Sequence, residues 1–314
     1  MTDAIGGYFG FELRKGEHYH RDALRLNTGR NCFEYVLRAR NYTHVYIPYY
    51  TCEVMLESLH KLHIPYSFYS INEQLEPCTL PVLQSGEAFL YTNYYGLKQA
   101  TVEQLANRYQ SQLIVDNAQA FFAARIAGID TFYTARKFFG VPDGAYLYTD
   151  TCLDIDLPQD ESFERTSHLL KRLETGAEGG FADYQSHEED LCHQSIKRMS
   201  QLTERILESI DYEAVKTIRR KNYVTLAREL QTSNLLALSL SEDAIPMVYP
   251  YWNDKSFLLK KQLQEQRIYT ATYWSNIADS NMVEGRLKNQ LLPLPIDQRY
   301  GEEDMNQIIE IIKA

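Results

Sequence analysis

The chain has 314 residues, 44% of them hydrophobic and 24% charged, the balance of a globular protein. Its formal net charge is −10, and the densest basic cluster is the short run Arg219, Arg220, Lys221, which argues against a binder of nucleic-acid phosphates. No apolar run approaches the roughly 20 residues that span a bilayer, and the N-terminus has no apolar segment of signal-peptide type. The five cysteines form no CxxC pair, so a cytoplasmic protein with reduced thiols and no metal centre is expected.

Strand and helix patterns alternate through the first half. "NCFEYVLRARN" (31–41) has helical spacing, "HVYIPYYT" (44–51) is strand-like, and "CEVMLESLHKLHI" (52–64) is an amphipathic helix. "PYSFYSI" (65–71) and "EAFLYTNYYG" (87–96) read as strands, "TVEQLANRYQ" (101–110) as a helix. "QLIVDNAQAFFA" (112–123) opens as a short apolar strand ending at Asp116, and "IDTFYTARKF" and "GAYLYTD" supply two more strands. This alternation predicts an α/β fold with a large, mostly parallel sheet flanked by helices.

From about residue 161 the pattern becomes long and helical. A second α/β region follows, with a strand at 245–252, a helix at 255–266, a strand at 267–274 and a closing helix at 302–314. The expected domains are a large α/β unit with an N-terminal arm over 1–205 and a smaller C-terminal α/β unit over 206–314. The 24 tyrosines, many in pairs, suit strands and polar-rimmed pockets.

Ligands of open α/β sheets bind beyond the carboxyl ends of the strands, and three polar signals lie there. In "LNTGRNCFEYVL" (26–37), a turn at Gly29, Arg30 and Asn31 opens a helix whose free N–H groups can hold a phosphate. Asn27 and Thr28 are equally suited to capping that helix. Asp116 ends an apolar strand, either capping the next turn or pairing with a cationic ligand group, and Gln119 follows three residues later. Thr134 precedes Lys137, which reads either as an exposed strand-end charge or as a carbonyl-capturing amine beside Arg136.

Taken together, the strand-end acid, the Thr-x-x-Lys and the glycine turn after it resemble the fold-type-I pyridoxal-phosphate enzymes. Within these they resemble the DegT/StrS-type nucleotide-sugar aminotransferases. "LNTGRNCFEYVLRA", "VYIPYYTCEVMLESLHKLHIPYSFYSIN", "YTNYYGL", "VDNAQAFFA" and "TARKFFGVPDGAYLYTD" carry the likeness through the first half, "IPMVYPYW" and "LLPLPIDQRYGEEDM" through the second. The resemblance implies a fold-type-I transferase that moves an amino group from glutamate to a nucleotide-linked keto-sugar and works as a homodimer. It implies that Lys137 holds the aldehyde of pyridoxal 5′-phosphate, Asp116 pairs with the ring nitrogen, Gln119 contacts the ring hydroxyl, and Thr134 with Gly29, Arg30 and Asn31 binds the phosphate. Lys137 and Asp116 are then the catalytic pair.

The chain departs from that pattern in places. Cys52 stands where the family often has a ring-stacking aromatic, leaving Tyr50 and Tyr95 as candidates. Ile196 stands where it often has an asparagine reaching the phosphate across a dimer, beside Lys197 and Arg198. Residues 155–195 have no clear counterpart. Two alternatives follow. One is a sugar dehydratase or deoxygenase on the same cofactor, although dehydrating relatives replace the lysine with histidine. The other is a non-catalytic ligand-binding member of the fold. A plain nucleotide-binding α/β protein would carry a GxGxxG or P-loop motif, which is missing.

Overall fold

The computed structural model describes residues 5–314. Seven strands form one sheet: β1 (Leu24–Leu26), β2 (His44–Pro48), β3 (Tyr66–Tyr69), β4 (Glu87–Thr92), β5 (Leu113–Asn117), β6 (Asp130–Thr134) and β7 (Ala145–Tyr148). Their order is β1-β7-β6-β5-β4-β2-β3. The pairs from β3 to β6 are parallel, whereas β7 runs antiparallel to both β6 and β1. Helices α1 (Gly29–Arg40), α2 (Val54–Lys61) and α3 (Gln99–Tyr109) connect the strands.

The central strands are apolar on both sides because both faces of the sheet are covered. Phe89, Tyr91, Leu113, Val115 and Tyr133 enter one hydrophobic cluster, and the alternating Ala88, Leu90, Ile114 and Phe132 enter the other. A strand of this kind buries even its polar end residues, which is how Asp116 and Asn117 come to be enclosed on β5.

Beyond the sheet lie α4 (Ser167–Gly179), α5 (Phe181–Asp190), α6 (Gln201–Glu208) and α7 (Tyr212–Leu230). The C-terminal unit adds β8 (Val248–Trp252), α8 (Ser256–Glu265), α9 (Val283–Gln290), β9 (Leu291–Pro295) and α10 (Glu302–Lys313). Asp211 caps α7 by accepting from the Ala214 N–H at 3.1 Å. The α7 residues Tyr212, Val215, Arg219, Asn222, Leu226 and Leu230 recur at three- and four-residue steps and form its buried stripe.

One sequence expectation needs correction. Residues 267–274 form no strand. Arg267 and Tyr269 instead hydrogen-bond Glu178 on α4, and Trp274 packs edge-on against Tyr50. The partner of β8 is β9, in antiparallel register, with Pro250 opposite Pro293. A two-stranded sheet has only edge strands, so a proline with no N–H to give is tolerated there. The expected boundary at 205/206 falls within α6. Leu207 belongs to the core beneath the sheet, and the chain leaves the helix only at Ser209, before α7.

Among the described residues, no helix is long and apolar enough to cross a membrane. All five cysteines are unpaired.

Candidate active site

Asp116 is 5% exposed near the end of β5, level with Thr92 on β4 and Phe132 on β6. Its carboxylate accepts from the Ala118 N–H at 2.8 Å and the Thr92 hydroxyl at 3.4 Å. Burial raises its pKa, and the charge of Lys137 opposes that rise. Gln119 is fully buried, and its Oε1 accepts from the Tyr95 N–H at 3.0 Å. A backbone N–H can only donate, so this bond fixes which way the amide faces. Gln119 Nε2 is left buried with no partner among the described residues. The supporting residue Tyr95 has φ 58°, a left-handed conformation that tyrosine rarely adopts.

The end of β6 meets the start of α1. Thr28 caps α1 through the Asn31 N–H at 3.2 Å, while the N–H groups of Gly29 and Arg30 have no partner among the described residues. A Cβ on Gly29 would lie 3.9 Å from Thr134 Cβ, so these two N–H groups and the Thr134 hydroxyl share one small region. The side chains of Arg30 and Asn31 are engaged elsewhere. Arg30 donates to Glu57 at 2.8 Å, and Asn31 donates to Asn27 Oδ1 at 2.8 Å and to the Ser195 carbonyl at 2.9 Å. What this turn offers an anion is main chain.

Sequence reading passed over two residues that hold this arrangement. Asp143, inside "FGVPDG", is fully buried and accepts from the Ser200 N–H at 2.8 Å, the Ser200 hydroxyl at 2.6 Å and the Thr203 hydroxyl. It therefore ties the turn after Lys137 to the N-terminus of α6. The next residue, Gly144, has φ +114°, donates to the Asn27 carbonyl at 2.6 Å and accepts from Ala135 N at 3.0 Å and the Thr134 hydroxyl at 3.4 Å. One glycine thus joins the lysine loop to the start of α1.

The second is Arg219, which the sequence showed only as part of a basic run. It is 1% exposed and donates to the carbonyls of Met247 at 3.0 Å and Phe138 at 3.4 Å. Its guanidinium lies 4.6 Å from the Phe138 ring centroid, and burial lowers its pKa to about 10. Gln298 also donates to the Phe138 carbonyl, at 2.8 Å. The C-terminal unit so grips the residue next to Lys137. The signal available was the position of Arg219 on the buried α7 stripe.

Lys137 is exposed and has no hydrogen-bond partner among the described residues, while its neighbour Arg136 is paired with Glu188 on α5. A cavity of about 700 Å³ opens on Lys137. Its walls are the lysine loop, the α4–α5 hairpin and the C-terminal residues Arg219, Gln298 and Arg299. Of the predicted site residues only Lys137 lines it, Asp116, Gln119 and Thr134 being enclosed.

Tyr50 and Tyr95 are both fully buried, their hydroxyls 3.3 Å apart. Neither lines this cavity. Cys52 is half-buried against both faces of the core. Ile196 is 7% exposed and packs in the cluster of Leu26, Phe33 and Phe132. It is a core residue, lying in a segment that bridges to β1.

The acid, the lysine loop and the α1 N-terminus sit on an α/β fold with a mostly parallel seven-stranded sheet, and solved structures share that fold. DesV of S. venezuelae, solved in complex with a ketimine intermediate, superimposes with TM-score 0.64 at 16% identity, over 93% of this chain and 84% of that one. DesI, solved in the presence of its TDP-sugar product, gives 0.63 at 13% identity, over 93% and 79%. NtdA from Bacillus subtilis, solved with bound cofactor PMP, gives 0.60 at 16% identity, over 93% and 73%. Further similar structures include an aminotransferase of the DegT/DnrJ/EryC1/StrS type from Brucella abortus. At these identities the likeness establishes the fold. No protein-family model matches the chain, and no curated protein matches it.

Proposed function

We propose that the chain is a pyridoxal-phosphate-dependent aminotransferase that moves an amino group from glutamate to a nucleotide-linked keto-sugar, working as a homodimer. The observation that carries this is the buried Nε2 of Gln119, unpartnered among the described residues, three residues along the chain from the enclosed carboxylate of Asp116 at the end of β5. A buried donor without an acceptor is costly, so a planar ligand bearing a ring oxygen and a cationic ring nitrogen fits this pair. The N–H groups of Gly29 and Arg30, with the Thr134 hydroxyl, fit its phosphate.

When bound, the cofactor supplies an electron sink that makes the donor's Cα–H acidic. Gln119 Nε2 would donate to the ring oxygen. Asp116 would hold a proton at the ring nitrogen, and a contact ion pair of this kind is worth about 4 kcal/mol at intermediate dielectric. That shifts the nitrogen's protonation by about three pH units, enough to keep it protonated at neutral pH. Lys137 Nζ would hold the cofactor's aldehyde, and its free amine would be the group that moves a proton between the donor's Cα and C4′.

The keto-sugar acceptor is supported by the TDP-sugar found with DesI and by the basic lining of the cavity above Lys137. Retention of Lys137 favours amino transfer over dehydration. The test is optical. The purified protein, supplied with pyridoxal phosphate, turns yellow and bleaches with glutamate, and Lys137→Ala does neither. A Lys137→Ala protein that still forms a borohydride-trapped adduct would mean that another lysine is the attachment point.

A further inference from the structure

We propose that Arg172 on α4 binds the anionic group that the substrate carries away from its reacting carbon, a phosphate or carboxylate held over Lys137. The inference deepens the aminotransferase reading, and it rests on how each cation of the cavity is partnered. Five cationic side chains line it, those of Arg136, Lys137, Arg172, Arg219 and Arg299, against the single carboxylate of Asp297. Arg136 is paired with Glu188, Arg219 is held by backbone carbonyls, and Arg299 makes two bonds to Asp297 at 2.7 and 2.9 Å. Lys137 is committed to the chemistry. Arg172 alone has neither a role nor a hydrogen-bond or ion-pair partner among the described residues. It lines not only this cavity but the two adjoining ones of about 560 and 550 Å³.

Its backbone is held in place. Gly180 opens the turn into α5 so tightly that a Cβ there would lie 2.7 Å from the His168 carbonyl oxygen and 3.3 Å from Arg172 N. His187 is hydrogen-bonded to the Pro142 carbonyl at 2.6 Å, tying the hairpin to the lysine loop, and Glu178 accepts from Arg267 at 2.9 Å, tying it to the C-terminal unit. The hairpin therefore spans the cavity and presents to it one unneutralised guanidinium, whose fork suits a phosphate or carboxylate.

The test is calorimetric titration of the purified protein with inorganic pyrophosphate and, separately, with glutarate. The variants are Arg172→Gln, Arg172→Lys and, as a control of equal charge, Arg205→Gln, an exposed α6 residue. Wild type binds at least one of the two anions. Arg172→Gln weakens that binding by about tenfold, Arg172→Lys by less, and Arg205→Gln leaves it unchanged. A loss confined to pyrophosphate places the contact on the acceptor's phosphates, and a loss confined to glutarate places it on the donor's distal carboxylate. Wild-type binding of both anions by Arg172→Gln, or of neither by the native protein, overturns the proposal. Neither titration requires turnover. Arg172-dependent binding in a protein that never bleaches with glutamate would remove the aminotransferase reading and leave the anion site standing.

Discussion

Replacing Asp143 with alanine separates stability from cofactor recognition. The carboxylate is fully buried and accepts three hydrogen bonds, from the Ser200 N–H and hydroxyl and from the Thr203 hydroxyl. Ser200 Oγ keeps a second contact, with Ser162 Oγ at 2.6 Å. The Ser200 N–H and the Thr203 hydroxyl lose their acceptor in a region where both residues are buried. Each stranded donor costs about 1–3 kcal/mol, and loss of a negative charge at the α6 N-terminus adds about 0.5–1 kcal/mol. The expected destabilisation is about 2.5–7 kcal/mol, read from urea unfolding. Asp143→Asn keeps one acceptor oxygen and loses less.

The functional consequence is selective. Asp143 anchors the turn whose neighbour Gly144 bonds to both Asn27 and Thr134. Loosening it disturbs the phosphate region and leaves Asp116 and Gln119 in place. In Asp143→Asn, affinity for pyridoxal phosphate falls by more than affinity for pyridoxal, both followed by absorbance. An unchanged ratio of the two affinities would refute the argument that this turn positions the phosphate contacts.

Two further outcomes are expected. Asp116→Asn retains cofactor but bleaches with glutamate about 100- to 1000-fold more slowly in single turnover, since a contact charge pair is worth about 4 kcal/mol; an unchanged rate removes the proton-holding role. Stability falls on acidification from pH 6.5 towards pH 4. Burial lowers the pKa of His18, His20 and His187 to about 4, so the unfolded chain takes up protons that the folded one refuses. Their contribution is fully present above pH 6.5 and is lost as pH falls through the folded values. His187 also faces the Arg136 charge, His168 and Glu188, and His187→Gln makes the urea-unfolding profile flatter over this range; an unaltered slope sinks the assignment.

The legible part of the protein was the part written locally. Leu113, Ile114 and Val115 followed by Asp116 announce a central strand with an acid at its end, and Thr134 with Lys137 marks the next strand end; the sheet brings the two neighbouring strands together in parallel. Features that depend on distant partners were hidden. Arg267 to Trp274 has the composition of a strand, yet the edge it would need is taken by Leu291–Pro295, whose prolines disguise it. Arg219 sits in a visibly basic run, and only the stripe from Tyr212 to Leu230 turns it inward. Asp143 reads as a turn residue because its partners lie some 57 and 60 positions away. The Arg30 and Asn31 side chains read as polar and available, but Glu57 and Ser195 engage them.

The region around the α1 N-terminus is stitched from chain segments that are synthesised far apart. Asn27 N–H donates to the Lys197 carbonyl at 3.0 Å, Asn31 bonds to Ser195, and Ser200 closes on Asp143. The first two closures each span more than half the chain, so they are expected to form late in folding, after the sheet strands that carry Asp116 and Thr134 are paired. A nascent chain halted before residue 195 holds the lysine and the acid but lacks the brace that steadies the anion-binding turn. If the proposed function holds, adding pyridoxal phosphate during refolding reports on closure of the segment 195–200.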